Sequence, residues 1–423
     1  MSMSAEGKMQ LDRERHVKYW KRCSQLLPEP YTSGEASRMS FGFFIVAALD
    51  LLGALETVIT PAERQSWIEW IYTCQVPHTG GFRGFTGTIL GGMRNPQNWH
   101  WDPANLPNTY FALATLVILG DDLGRVKRRE CLAWVRRLQR PNGSFGEFLG
   151  EDNVVEGADD LRLCLCAVGT MKILQGNEQS IEIDAFRLRQ FITNCQSHEG
   201  GFGQAPLLEA HSGLNYCAIA ALSFLGLLRN PPESIQQVAS QAKLDVTGCV
   251  RWMLDRQTTW IDGEDEDEDE DSEDDDERGD EDERKEKDFK HDEDEPQKQP
   301  LNLSSLRDGL MAQEPAAGAG FCGRCGKMAD TCYCFWNVGA LAILQQHQLV
   351  DIEALRRYLL QHVAHLIGGF GKAPGELPDV LHSYLGLATL AIYNEPGLKE
   401  FDPTFCFSKE AVEKMKKASW RLN

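Results

Sequence analysis

The chain has 423 residues, 42% of them hydrophobic, and a formal net charge of −20. That length suits two ordinary domains or one large closed architecture, and the apolar share is enough for a sizeable core. Residues 262–300 alone hold 24 acidic and 6 basic side chains, which leaves the other 384 residues at a net −2 and excludes a basic nucleic-acid surface on the folded part.

From Met1 to Pro28 the chain is polar and charged, without the apolar segment of a secretion signal. No uninterrupted apolar run reaches the ~18 residues of a membrane-spanning helix, so no membrane insertion is expected. Thirteen Cys in such a chain point to reduced thiols and a cytoplasmic location. An apolar helix is expected over 40–55, and from there one unit recurs: an amphipathic helix, a Gly-Phe turn, a loop and an apolar helix. The amphipathic helices are expected at 67–75, 131–139, 188–196, 250–257 and 355–363. The turns carry Phe82, Phe145, Phe202, Phe321 and Phe370, at spacings of 63, 57, 119 and 49 residues. Without the acidic stretch and its trailer the third gap falls into line, giving a period of about 50–60 residues. The remaining apolar helices are expected at 108–120, 160–174, 215–226, 332–344 and 382–393.

Helices that are apolar nearly all round must be buried, whereas their amphipathic partners face water on one side. The expected fold is therefore all-α, an α6-α6 barrel with a ring of parallel inner helices; a solenoid of stacked hairpins is the alternative. Residues 1–261 and 301–423 form its single domain. Residues 262–300, with no periodicity and almost nothing apolar, form a disordered acidic insertion in a loop, either plainly solvated or a docking element for a basic partner. Parallel inner helices would bring their positive N-terminal ends to one mouth, where anions and thiolates are favoured.

The densest polar stretch runs from Gly320 to Trp336. Asp330 reads as a helix N-cap, and a cap carboxylate can converge with a first-turn thiol such as Cys332. His382, at the start of the next apolar helix, completes a carboxylate, thiolate and imidazole set suited to a catalytic Zn²⁺ with an open fourth position. Two other readings stay open: a closed Cys₄ site from Cys322, Cys325, Cys332 and Cys334, and a capping Asp330 beside an ordinary helix-start His382. Arg324, Lys327, Tyr333 and His211 flank these ligands and suit a polyanion such as a diphosphate. Tyr110, Tyr216 and Trp336 would line the deeper cavity.

On the run Gly323-Arg-x-x-Lys-x-x-Asp-x-Cys-Tyr-x-Phe-Trp336, supported by Gly80-Gly-Phe-Arg83, Val117-Ile-Leu-Gly-Asp-Asp-Leu123 and Ser37-Arg-Met-Ser-Phe-Gly-Phe-Phe44, the chain resembles the β subunits of protein prenyltransferases. Within that family it is most similar to the type I geranylgeranyl-transferring branch. The resemblance implies an α-α barrel in an obligate heterodimer with a helical-repeat α subunit. It implies transfer of a C20 group from geranylgeranyl diphosphate to the Cys of a C-terminal CaaX motif, X usually Leu, on proteins such as small GTPases. It places zinc on Asp330, Cys332 and His382, the diphosphate on His211, Arg324, Lys327 and Tyr333, and Arg162 near the peptide's C-terminal residue. The family often carries His in the loop before the second inner helix; here Asn105 stands there, which bears on selectivity at X. Lys372 replaces an Asp that helps place Mg²⁺ in farnesyl-transferring relatives, so Mg²⁺ is expected not to be required. Ser40 replaces a bulky Trp of those relatives and is expected to admit the longer lipid; helix capping is its alternative role. The competing functions are a farnesyltransferase-type or Rab-type β subunit and a non-catalytic zinc-stabilised helical scaffold.

Overall fold

The computed structural model describes residues 9–87, 89–95, 97–174, 183–228, 244–260 and 318–417. The chain divides into two units, residues 1–262 with 318–423 and residues 263–317. The expected acidic insertion at 262–300 lies outside the described residues. The described helices, turns and site residues all belong to the first unit.

Among the described residues, outer and inner helices alternate along the chain. They are α1 Arg13–Gln25, α2 Arg38–Leu51, α3 Pro61–Thr73, α4 Leu106–Ile118, α5 Arg128–Arg137, α6 Leu161–Leu174 and α7 Ala185–Asn194. They continue as α8 Ser212–Phe224, α9 Val246–Leu254, α10 Thr331–Ile343, α11 Ile352–Arg357 and α12 Val380–Ile392, and α13 Lys409–Lys416 follows. Each even-numbered helix packs on the next, and α12 packs back on α2, so the inner helices close into a ring. This is the expected all-α toroid rather than an open solenoid. The inner sequences explain the placement: α12 carries only His382, Ser383 and Thr389 as plainly polar groups among Leu, Ala and Val, so it must be covered on nearly every side. The outer α5 buries Cys131, Leu132, Trp134 and Val135 and turns its arginines to water.

The Gly-Phe turns are the joints between the two rings. Each turn Phe is fully buried and pairs as a short β-bridge with the end of the preceding outer helix, as in Gln75 with Phe82, Gln139 with Phe145 and Gln196 with Phe202. Gln257 pairs with Phe321 in the same way, although 64 positions of sequence separate them. The turn N–H groups are then met from the inner helix: Phe82 N–H donates to Thr109 Oγ1, Phe202 N–H to Asn215 Oδ1 and Phe370 N–H to Ser383 Oγ, each at 2.9 Å. Every one of these acceptors lies four residues after the helix N-cap, respectively Asn105, His211 and Asp379. A buried N–H left without its partner costs about 1–3 kcal/mol. Thr109→Val should therefore lower unfolding stability by about that much, read as a drop in denaturant midpoint at constant slope.

The structure departs from expectation at element ends. Most inner helices start one to three residues earlier than their apolar pattern suggests, because a capped polar first turn carries no apolar signal. The helix α1 lies outside the expected set altogether. Its sequence is mostly charged, yet His16, Tyr19, Trp20 and Cys23 fall on one face and are buried, and no Gly-Phe turn follows it. α1 packs on α2 and reaches the last Gly-Phe turn: Gly369 N–H donates to His16 Nδ1 at 3.3 Å, and Arg22 donates to Ile367 O at 2.6 Å.

The end of the ring away from the inner N-termini is closed by the segment from Phe401 to Ser408, a two-stranded hairpin. Three inner-ring hydroxyls hold it: Tyr110 donates to Phe405 O (2.7 Å), Tyr216 to Pro403 O (2.8 Å) and Tyr384 to Cys406 O (2.5 Å). Tyr110 and Tyr216, expected to line the deeper cavity, are thus buried with their polar ends engaged in its floor. Among the described residues, no helix is long and apolar enough to cross a membrane.

Candidate metal and anion site

Inner-helix N-caps supply most of the polar groups at the open mouth. Asp330 caps α10, its Oδ1 accepting the Cys332 N–H at 2.7 Å. Asp379 caps α12 by accepting the N–H groups of Leu381 and His382 on Oδ1, at 2.8 and 2.9 Å. Its other oxygen, Oδ2, accepts from His382 Nδ1 at 2.5 Å, which turns Nε2 toward Asp330 Oδ1 at 3.2 Å. The Cys332 thiol completes the group, and the three ligand atoms all lie within 4.8 Å of one another.

The electrostatics of these groups favour a held cation. Burial works against a charged His382 ring, but its bonds to Asp330 and Asp379 outweigh that and lift its pKa to about 9. Burial also works against the Asp330 carboxylate, and the His382 contact nevertheless holds it below its usual range. Burial, and then the Asp330 charge, push the Cys332 thiol well up, so ionising that thiol calls for a second positive charge. One carboxylate, one thiol and one imidazole whose far nitrogen is anchored by Asp379 are the donors and outer support of a metal site. Asp330, Cys332 and His382 are the one group of this kind among the described residues. The Cys₄ alternative is not assembled: Cys325 is exposed, while Cys334 is buried with its sulfur 3.7 Å from Asp330 O.

The expected anion-binding residues surround this group to different degrees. His211 caps α8, with Nδ1 accepting the Gly213 N–H at 3.1 Å; Nε2 therefore carries the proton and donates it toward the Tyr333 hydroxyl at 3.2 Å. Burial, followed by Arg324 and Arg162, lowers the His211 pKa, so the ring acts as a neutral donor. Arg324 reaches the rim, 3.3 Å from Glu209, and Lys327 and Lys372 are exposed there. The Lys372 carbonyl, rather than its ammonium, is what packs against α10, accepting the Thr331 N–H at 2.9 Å.

The remaining expected residues lie at the caps and in the first two turns of inner helices. Arg162 is held at the start of α6 by Asp160, with Nη2 to Oδ2 at 2.6 Å. Asn105 caps α4, accepts the Asn108 N–H at 3.0 Å and donates to Glu147. Trp336 is half-buried and packs at a tilt against Tyr216, with ring centres 5.1 Å apart. Ser40 is the third residue of α2, not its cap; Ser37 holds that position without a side-chain bond. The alternative capping role of Ser40 is thereby removed, and the residue stands one turn from Phe44, on the same helix face. Asp379, Ser212 and Thr331 are outside the residues expected from sequence. The spacing Asp379-Val-Leu-His382 is an N-cap signal that could have revealed the first.

The family model of the prenyltransferase alpha-alpha toroid domain matches residues 11–407. The chain is 31% identical to geranylgeranyl transferase type-1 subunit beta of Dictyostelium discoideum, covering 96% of this chain and 97% of that one. It is 28% identical to the protein of the same name from Arabidopsis thaliana, over 93% and 88%. The structure is similar to Candida albicans protein geranylgeranyltransferase-I complexed with GGPP, with TM-score 0.73 and 25% identity over 97% of this chain and 99% of that one.

Proposed function

This chain belongs to the prenyltransferase alpha-alpha toroid family, and from that premise we propose that it is the catalytic β subunit of a type I protein geranylgeranyltransferase. It joins a prenyltransferase α subunit in the cytoplasm. It transfers a C20 group from geranylgeranyl diphosphate to the Cys of a CaaX motif ending in Leu, on proteins such as small GTPases. The observation that carries this reading is the meeting of Asp330, Cys332 and His382 at the mouth that also holds the Tyr333–His211 contact.

Asp330, Cys332 and His382 would hold Zn²⁺, which when bound supplies the positive charge that keeps a substrate thiol ionised near neutral pH. The residues of the chain do the rest. The His211 N–H orients the Tyr333 hydroxyl, which presents its O–H toward the diphosphate, and Arg324, Lys327 and Lys372 supply mobile positive charge at the rim. As the C1–O bond of the lipid breaks and the S–C1 bond forms, negative charge moves onto the leaving diphosphate, which these donors stabilise. No side chain of this subunit serves as nucleophile. Asp379 fixes the His382 tautomer, and Trp336 and Phe44 exclude water from the wall along which the lipid lies.

Co-expression with an α subunit and assay on a Leu-ending CaaX peptide test the reading. The heterodimer should transfer C20 in preference to C15, with a rate flat in Mg²⁺ once zinc is fixed, because the Lys372 ammonium can meet phosphate oxygens directly. Stoichiometric zinc without transfer would leave a scaffold, and strong stimulation by Mg²⁺ would remove Lys372 from this role.

A further inference from the structure

Neighbouring repeats are joined by one recurring hydrogen bond. The first or second residue of each of five inner helices donates its N–H to the turn of the following repeat, just beyond the buried Phe. Met39 donates to Gly84 O (2.9 Å), Leu106 to Glu147 O (2.9 Å) and Leu161 to Gln204 O (3.3 Å). Ser212 donates to Gly323 O (3.0 Å) and Thr331 to Lys372 O (2.9 Å). In the first three junctions the donating residue has an apolar side chain and the turn presents no exposed cation, Arg83 being buried against Asp102. In the last two the donor is a hydroxyl residue, and those two turns bear the exposed Arg324 and Lys372.

Both hydroxyls are fully buried and add a second tether. Ser212 Oγ donates toward Cys322 O and Gly323 O, at 3.1 and 3.2 Å, and is itself fixed by Asn337 Nδ2 at 2.9 Å. Thr331 Oγ1 donates toward Gly371 O at 2.7 Å and Lys372 O at 3.2 Å. Each therefore grips successive peptide carbonyls at the point where the cationic side chain leaves the backbone. The need is physical. The turn glycines admit close neighbours: a Cβ on Gly323 would run into the Tyr333 ring, and one on Gly371 would meet Glu376 O at 2.6 Å. Glycine also leaves the backbone free to rotate, and an exposed Arg or Lys on a loose turn would spend little time over one anion.

We propose that Ser212 and Thr331 are positioning residues for diphosphate recognition, fixing the backbone from which Arg324 and Lys372 reach the leaving group. The inference rests on the diphosphate reading of Arg324 and Lys372 given above. It also explains why the hydroxyls occur at these two junctions and not at the other three.

The test uses the heterodimer with Ser212→Ala or Thr331→Val, and three probes: geranylgeranyl diphosphate, inorganic diphosphate, and geranylgeraniol, which has the chain without the phosphates. Loss of a neutral hydrogen bond predicts about three- to tenfold weaker binding of the two diphosphate probes. Geranylgeraniol binding should be unchanged, and Ser212→Thr or Thr331→Ser should restore the wild-type values. In an Arg324→Ala background, Ser212→Ala should have no further effect, since the two act through one contact. An equal loss for geranylgeraniol would mark the hydroxyls as merely structural and overturn the inference. So would unchanged diphosphate binding in Ser212→Ala alongside weakened binding in Arg324→Ala. If Arg324→Ala and Lys372→Ala both bind diphosphate normally, the underlying reading fails. Should Thr331→Val not fold, Ser212→Ala, which lies on α8 and not on the metal-bearing α10, carries the test through its Arg324 arm.

Discussion

Cys332→Ala should strip zinc from the heterodimer and lower turnover by about three decades, while geranylgeranyl diphosphate still binds within about threefold of wild type. The size follows from charge. A bound metal contributes several kcal/mol toward ionising a thiol and stabilising the charge that develops, and each 1.36 kcal/mol is a decade of rate. Lipid binding is spared because the diphosphate-binding pair, His211 and Tyr333, is anchored independently of the thiol: the first by the Gly213 N–H, the second by its place on α10. His382→Ala should do the same. Asp379→Asn should be milder, weakening zinc by about 10- to 100-fold as loss of an outer hydrogen-bonding partner does, since one amide oxygen cannot both cap α12 and hold Nδ1. Zinc by atomic absorption and lipid binding by fluorescence separate the effects. Normal zinc content with normal turnover in Cys332→Ala would sink the assignment.

Ser40→Trp should reverse the lipid preference, from C20 toward C15, by about two decades or more. Ser40 is half-buried on α2, one turn before Phe44, whose ring lies 5.9 Å from Phe111 and 5.7 Å from Tyr384. An indole placed there joins that aromatic cluster and occupies wall volume that a fourth isoprene unit would use. Burying five carbons is worth up to ~4 kcal/mol at about 0.8 kcal/mol per methylene, and losing most of it is a change of about two decades or more. Stability should move little, because Ser40 is not the helix cap and makes no capping bond to lose. Competition between the two diphosphates on one Leu-ending peptide decides the matter; an unaltered C20 preference in a folded variant would remove Ser40 from the specificity argument.

The alternation of rings was legible because it is written in two strong signals, helices apolar on every side and a Gly-Phe turn before each but the first. The metal group was legible for a local reason: Asp330 and Cys332 are two residues apart at a cap. His382 could be joined to them only through the repeat. What stayed hidden was polar and non-periodic. α1 hides four buried side chains among charges, and Tyr110 and Tyr216 look like cavity lining until their hydroxyls are traced to the loop at 403–405. Ser212 and Thr331 were invisible because a hydroxyl after an N-cap is common, and only the partner carbonyls 110 and 40 residues away give it meaning.

The outer position filled by α1 also sets the order in which this fold can be made. Arg22 and His16 find their partners at Ile367 and Gly369, across 345 and 353 residues of chain, and Leu11 N–H finds Glu395 across 384. During synthesis the first helix therefore emerges with α2, on which it packs, long before the last turn that it also covers exists, and Tyr19, which lies against Gly368 and Gly369, must wait for that turn. Contacts this distant in sequence are slow to form and leave sticky intermediates. The seam between the first and last repeats is where a growing chain is most open to capture by chaperones or by a second copy of itself.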